Sequence, residues 1–88
     1  MLILGREHID EAIKQHSDWK ASLNSWFQIT TGATWKNFPD VRQTFSNASW
    51  VNKRVVFNIA HNKARLISQI VFKKETVTIL QILSHKGI

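Results

Sequence analysis

The second half of this chain is written in β-branched and aromatic residues. "RVVFNIA" begins at Arg54, "KARLISQIVF" at Lys63 and "TVTILQIL" at Thr76. Short runs this rich in Val, Ile and Phe read as strands. The breaks between them are only a few residues long. Consecutive strands must therefore pair antiparallel, because a parallel neighbour needs a crossover of about a dozen residues or more. His61-Asn62 reads as the first hairpin turn, with Asn62 tolerating positive φ. Lys73, Lys74 and Glu75 form the second. The result is a three-stranded meander with one face that needs cover.

The first half supplies that cover. Residues 1 to 4 read as a short edge strand. "EHIDEAIKQH" places Ile9, Ala12 and Ile13 at helical spacing, which predicts a helix over about 6 to 16. Ser17 is the expected N-cap of a second helix running through "DWKASLNSWFQITTG". Trp19, Leu23, Trp26 and Phe27 fall at i, i+4, i+7 and i+8, one face of that helix. The stripe reads as core rather than as a platform for stacking bases. Gly32 is the expected C-cap. Pro39 suits the first turn of a short helix over about 39 to 45, anchored by Phe38, Val41 and Phe45. The expected fold is α+β: residues 1 to 88 as one domain, a small antiparallel sheet with two N-terminal helices packed on one face.

With 88 residues the chain can build one modest core, and 43% of it is hydrophobic. It has no cysteine. That excludes a disulfide framework and thiolate metal sites, and it suits a reducing cytosol. "MLILG" is too short for a signal-peptide core. No apolar run approaches the roughly 18 residues that a membrane span needs. The expectation is a cytoplasmic protein with no membrane partner.

The charge is concentrated. Residues 1 to 44 hold as many bases as acids, whereas residues 45 to 88 hold seven bases and only Glu75, so the whole excess of +6 lies in the second half. Such a field attracts polyanions through counterion release. Strand alternation places Arg54, Val56, Asn58 and Ala60 on one side, with Val55, Phe57 and Ile59 on the other. Arg54, Asn58 and Arg65 are expected to share the face opposite the helices, with His61 and Lys63 at its rim. Lys73 and Lys74 add charge at the second turn.

No strong enzyme signature is present. There is no Gly-rich phosphate loop and no His-Glu-x-x-His pattern. His8 and His16 are too far apart on a helix to share a metal. What remains suits one reaction, cleavage of RNA by its own 2′-hydroxyl. The protein then needs no nucleophile, metal or cofactor. It needs a base for the hydroxyl, cations for the charge gathering on the phosphate, and an acid for the leaving oxygen. Histidine can serve at either end, and arginine grips phosphate in bidentate fashion. Arg65, His85 and Lys86 are the candidate catalytic residues. Arg54, Asn58, His61, Lys63, Lys73 and Lys74 are the candidate RNA-binding residues. A DNA-binding role is disfavoured, since no helix carries a basic recognition face.

Three stretches carry a family resemblance: "WKNFPDV" at 35 to 41, "RVVFNI" followed by "NKARLI" within 54 to 67, and "SHK" at 84 to 86. Together they resemble the HigB-type toxins, RelE-like mRNA interferases of bacterial toxin–antitoxin systems. The resemblance covers nearly the whole chain. It implies a RelE-like fold and a ribosome-dependent endoribonuclease that cuts translated mRNA. It also implies a cognate HigA-like helix-turn-helix antitoxin as partner, with DNA contacted only through that antitoxin. Arg65 matches the family's arginine after Asn-Lys-x. His85 matches the histidine of a closing Thr-His-x-x-Tyr-Asp motif, with Ser84 at the Thr position. Lys86 falls where relatives carry a phosphate-binding base. The chain departs from the motif at Ile88, which stands at the Tyr position, and it contains no tyrosine. The expected activity is therefore impaired. The alternative is an inactive module of the same fold that binds antitoxin, RNA or ribosome without cutting.

Overall fold

The computed structural model describes residues 1–84. Among the described residues the order is β1 (Leu2–Leu4), α1 (Arg6–Gln15), a 3₁₀ turn (Ser17–Trp19), α2 (Lys20–Thr31), α3 (Phe38–Thr44), β2 (Ser49–Val51), β3 (Arg54–Ile59), β4 (Ala64–Val71), a second 3₁₀ turn (Phe72–Lys74) and β5 (Thr76–Ser84). The strands form one sheet in the order β1-β5-β4-β3-β2. The α+β class and the helices on one face hold. The sheet, however, is mixed rather than antiparallel: β1 lies parallel to β5, with Leu2 opposite Thr76 and Leu4 opposite Thr78. The chain between them is long enough for the crossover that parallel pairing demands, which a meander of short turns cannot supply.

Entry into α1 depends on Gly5. Its φ is +87°, and a Cβ there would sit 2.6 Å from the carbonyl oxygen of Ile79 in β5. Only glycine meets both demands, a left-handed backbone and contact with a neighbouring strand. Ser17 does not cap α2. It opens the 3₁₀ turn instead, and its neighbour His16 stacks on Trp19 with ring centres 3.8 Å apart. Gly32 ends α2 with an ordinary right-handed φ of −84°, so glycine's freedom is not used there. α3 is held by a reciprocal cap: the Asp40 amide donates to the Asn37 side chain at 3.0 Å, and the Lys36 amide donates to the Asp40 carboxylate at 2.9 Å.

The core lies between the helices and one sheet face. Ile9, Ala12, Leu23 and Trp26 come from the helices; Val55, Phe57, Ile59, Leu66, Val77 and Ile79 come from the strands. Trp26 meets Phe57 edge-on at 5.4 Å, and Phe45 meets the same ring at 5.2 Å. Edge-to-face pairs of this kind add about 0.5–1.5 kcal/mol each beyond the area they bury. The Trp19–Leu23–Trp26 stripe is therefore core, as its spacing predicts.

Two hairpins shape the functional end. Asn52 and Lys53 both have positive φ and join β2 to β3, with Val51 opposite Arg54. His61 and Asn62 likewise have positive φ, and the Lys63 amide donates to the Ala60 carbonyl at 3.2 Å. The β2–β3 loop is a two-residue one whose two positive φ values match the twist of the flanking strands, whereas the β3–β4 loop spans residues 60 to 63, with Ala60 also at positive φ. The β4–β5 ladder then carries one irregularity. Ile67 faces Gln81 while Ser68 faces Ile79, so Leu80 is an extra residue in β5. This bulge resets the alternation. Ile82 returns to the helix side, opposite Leu66, while Leu83 lies on the open face opposite Arg65.

Candidate functional site

Arg65 stands on the sheet face that the helices leave open. It pairs with Asn58 across the β3–β4 ladder and with Leu83 across the β4–β5 ladder. These neighbours, with Ser49, Val51, Val56 and Ile67, line a pocket of about 280 Å³. Its walls are mostly apolar. Val51 and Val56 supply one side, Ile67 and Leu83 the other. The guanidinium is partly exposed, but its Nε is buried and has no hydrogen-bond partner among the described residues. No carboxylate among the described residues lies within ion-pair distance of it. A cation held on an apolar floor, with a free donor and no internal counter-ion, is poised to receive an anion from outside.

The other sequence candidates are dispersed around this centre. Asn58 is directly beside Arg65, and Arg54 lies on the same face at the start of β3, exposed. His61 and Lys63 are exposed in the β3–β4 turn. Lys63 reaches toward the helix side, where its Nζ lies 3.9 Å from the Asp18 carboxylate. Lys73 and Lys74 sit in the turn after β4, at the far end of that strand, ~20 Å from Arg65 at roughly 3.3 Å per residue. The structure therefore gathers Arg65 and Asn58, aligns Arg54 with them, and leaves the two turns apart. His85 and Lys86 lie outside the described residues. They follow Ser84, whose partner in the ladder is Ala64, the residue before Arg65.

The pocket walls were not read from the sequence. Ser49 and Val51 belong to a strand that sequence reasoning passed over, although "SWV" and "RVVF" flanking Asn-Lys carry a hairpin signal. Leu83 reaches the pocket only through the bulge. Among the described residues no three His, Cys, Asp or Glu side chains converge on a point where a metal could sit, and no helix is long and apolar enough to cross a membrane.

Comparison with known proteins adds the family. No curated protein matches the chain. The HigB toxin family, described as the RelE-like toxic component of a toxin–antitoxin system, matches residues 19–87. That span contains α2, the β2–β5 sheet and every residue of the Arg65 pocket. On this match the chain belongs to the HigB family of RelE-like toxins of toxin–antitoxin systems.

Proposed function

We propose that this toxin is a ribosome-dependent endoribonuclease that cuts translated mRNA through the RNA's own 2′-hydroxyl. The observation that carries the reading is Arg65, a cation with no ion-pair partner among the described residues, set in an apolar pocket on the open face. In the proposed reaction a base takes the 2′-hydroxyl proton and the 2′-oxygen attacks the adjacent phosphorus. The bond to the 5′-oxygen breaks, that oxygen takes a proton, and a 2′,3′-cyclic phosphate is left behind. Arg65 stabilises the charge that builds on the phosphoryl oxygens. His85 is assigned the proton transfer and Lys86 a phosphate contact. Arg54 and Asn58 extend the track along the sheet face, and His61, Lys63, Lys73 and Lys74 add attraction at its ends. An enzyme acting on translating ribosomes would work in the cytoplasm, and the proposed partner is a HigA-like helix-turn-helix antitoxin. DNA is met only through that partner.

The test is inducible expression of the chain in bacteria beside an Arg65→Ala variant, scoring growth and transcript integrity. Growth arrest with cleaved transcripts, both relieved by Arg65→Ala, supports the nuclease. Intact transcripts from a well-folded, abundant chain support the non-cutting module instead.

A further inference from the structure

The sheet has an unfinished edge. β2 pairs with β3 only from Arg54 to Val56, ending with Ser49 opposite Val56. Among the described residues, Phe57, Asn58 and Ile59 continue β3 with no strand beside them on that side. In a two-residue hairpin the closing pair, here Val51 and Arg54, exchanges backbone hydrogen bonds, and the pattern alternates along the strand. By that alternation Arg54, Val56 and then Asn58 turn their backbone N–H and C=O toward the edge. The Asn58 side chain faces Arg65, while its peptide groups face outward. Unpaired backbone of this kind is a template for an added strand.

A groove of about 350 Å³ lies along this edge, between β3 and α2. Its α2 wall is built from Ala21, Ser22 and Ser25, small enough to let another backbone approach. Trp26 lies behind them, only 1% exposed, and its indole Nε1 has no acceptor among the described residues. The groove is distinct from the Arg65 pocket, on the other side of the β3 main chain.

We infer that this edge docks an extended acidic segment of the antitoxin, which adds a short strand beside Asn58 and lays its side chains against Ala21 and Ser25. A toxin of this family has an antitoxin as its counterpart. The inference rests on that membership and not on cleavage. Charge decides between occupants. Lys20 directly precedes Ala21 of the groove wall and Lys63 closes the turn that begins at Ala60, while the chain carries +6 overall. A second copy would bring the same charge to the same edge and be repelled, whereas an acidic segment is attracted. Strand addition takes its affinity from main-chain hydrogen bonds and its selectivity from side-chain pockets, and the groove offers both.

The experiment compares amide hydrogen exchange of the full chain alone and in complex with the antitoxin encoded with it, alongside binding of an Ala21→Gln/Ser25→Gln variant. Both positions are exposed, so the longer neutral side chains fill the groove without entering the core. The expected result is at least a tenfold slowing of Asn58 amide exchange in the complex. The variant should bind the antitoxin at least tenfold more weakly, with thermal stability unchanged and a neighbouring Asn24→Gln control binding normally. Unchanged Asn58 exchange together with affinity within twofold of the parent overturns the proposal. So does loss of binding to a 20-nucleotide poly(A) RNA with antitoxin binding intact, which assigns the groove to RNA. Slowing that appears with protein concentration in the absence of antitoxin assigns it to a second copy. Growth arrest by the unmodified chain tests the nuclease reading separately.

Discussion

The hydroxyl of Ser68 donates to the carbonyl oxygen of Val55 at 2.9 Å, and both residues are buried at the end of the β3–β4 ladder away from the turn. Ser68 is one of the polar side chains inside the core, and it stands where the β5 bulge begins. Its bond gives a strand that is about to lose regular pairing on one side an additional tie on the other. Ser68→Ala should lower stability by about 1–3 kcal/mol, the cost of removing a partner from a buried polar group. Urea denaturation measures it. A change below about 0.3 kcal/mol, well under that range, would show that the bond is idle.

Trp26 is the test of the core. It is buried against Phe57, and no smaller side chain fills its place. Trp26→Ala should cost about 3–5 kcal/mol by equilibrium denaturation. A loss under 1 kcal/mol would be incompatible with the aromatic cluster described above.

The glycines should respond in opposite directions. Gly5→Ala must place a methyl group 2.6 Å from the Ile79 carbonyl oxygen at a left-handed φ, and it should destabilise by about 1–3 kcal/mol. At Gly32 φ is right-handed, and the nearest atom to an added Cβ is 3.8 Å away. Gly32→Ala should therefore stabilise by about 0.4–1 kcal/mol, by restricting the unfolded chain. Thermal melts of the two variants side by side check both signs.

Arg65→Ala should leave the melting temperature almost unchanged, because the guanidinium is partly exposed and makes no ion pair among the described residues. If Arg65 holds a phosphate of single-stranded RNA, its removal should flatten the log–log salt dependence of RNA binding by about 0.7. Titration with fluorescent RNA across a salt series reads the slope. An unchanged slope would remove Arg65 from the RNA contact.

Lys63 and Asp18 provide a contrast. They are both well exposed and 3.9 Å apart. A double-mutant cycle should find about 0.2–1 kcal/mol between them. Most of that coupling should vanish at 1 M salt, where the screening length falls to about 3 Å. A coupling that survived such salt would mark the turn as more rigidly tied to the helices than the distance implies.

The sequence made some features legible and hid others for definite reasons. Val55, Phe57 and Ile59 alternate with Arg54, Val56 and Asn58, so a period of two exposed both β3 and the face that Arg65 would share. Leu23 and Trp26 revealed α2 by the same logic at a different period. β2 stayed hidden because three exposed residues at a sheet edge need no alternation. The pairing of β1 with β5 stayed hidden because nothing near Leu2 in the chain encodes a partner at Thr76. Arg65 itself was legible as a cation set in an apolar strand, poor in nearby acids. Its pocket was not, since Val51 and Leu83 arrive there from opposite sides of the sheet, one by a hairpin and one by a bulge.

The extra residue at Leu80 works like a change of phase in a two-stroke cycle. Everything from Gln81 to Ser84 keeps its distance along the strand yet swaps sides relative to Thr76 through Ile79. Loss of Leu80 alone would straighten β5 without moving its end across the sheet: Ile79 would still face Ser68, Gln81 would still face Ile67 and Leu83 would stay beside Arg65. Threading Leu80 into a regular ladder would do the opposite, turning Gln81 into the core and Leu83 away from Arg65. Among related chains, a one-residue gap here should therefore be compatible with the pocket, with a straighter strand as its mark.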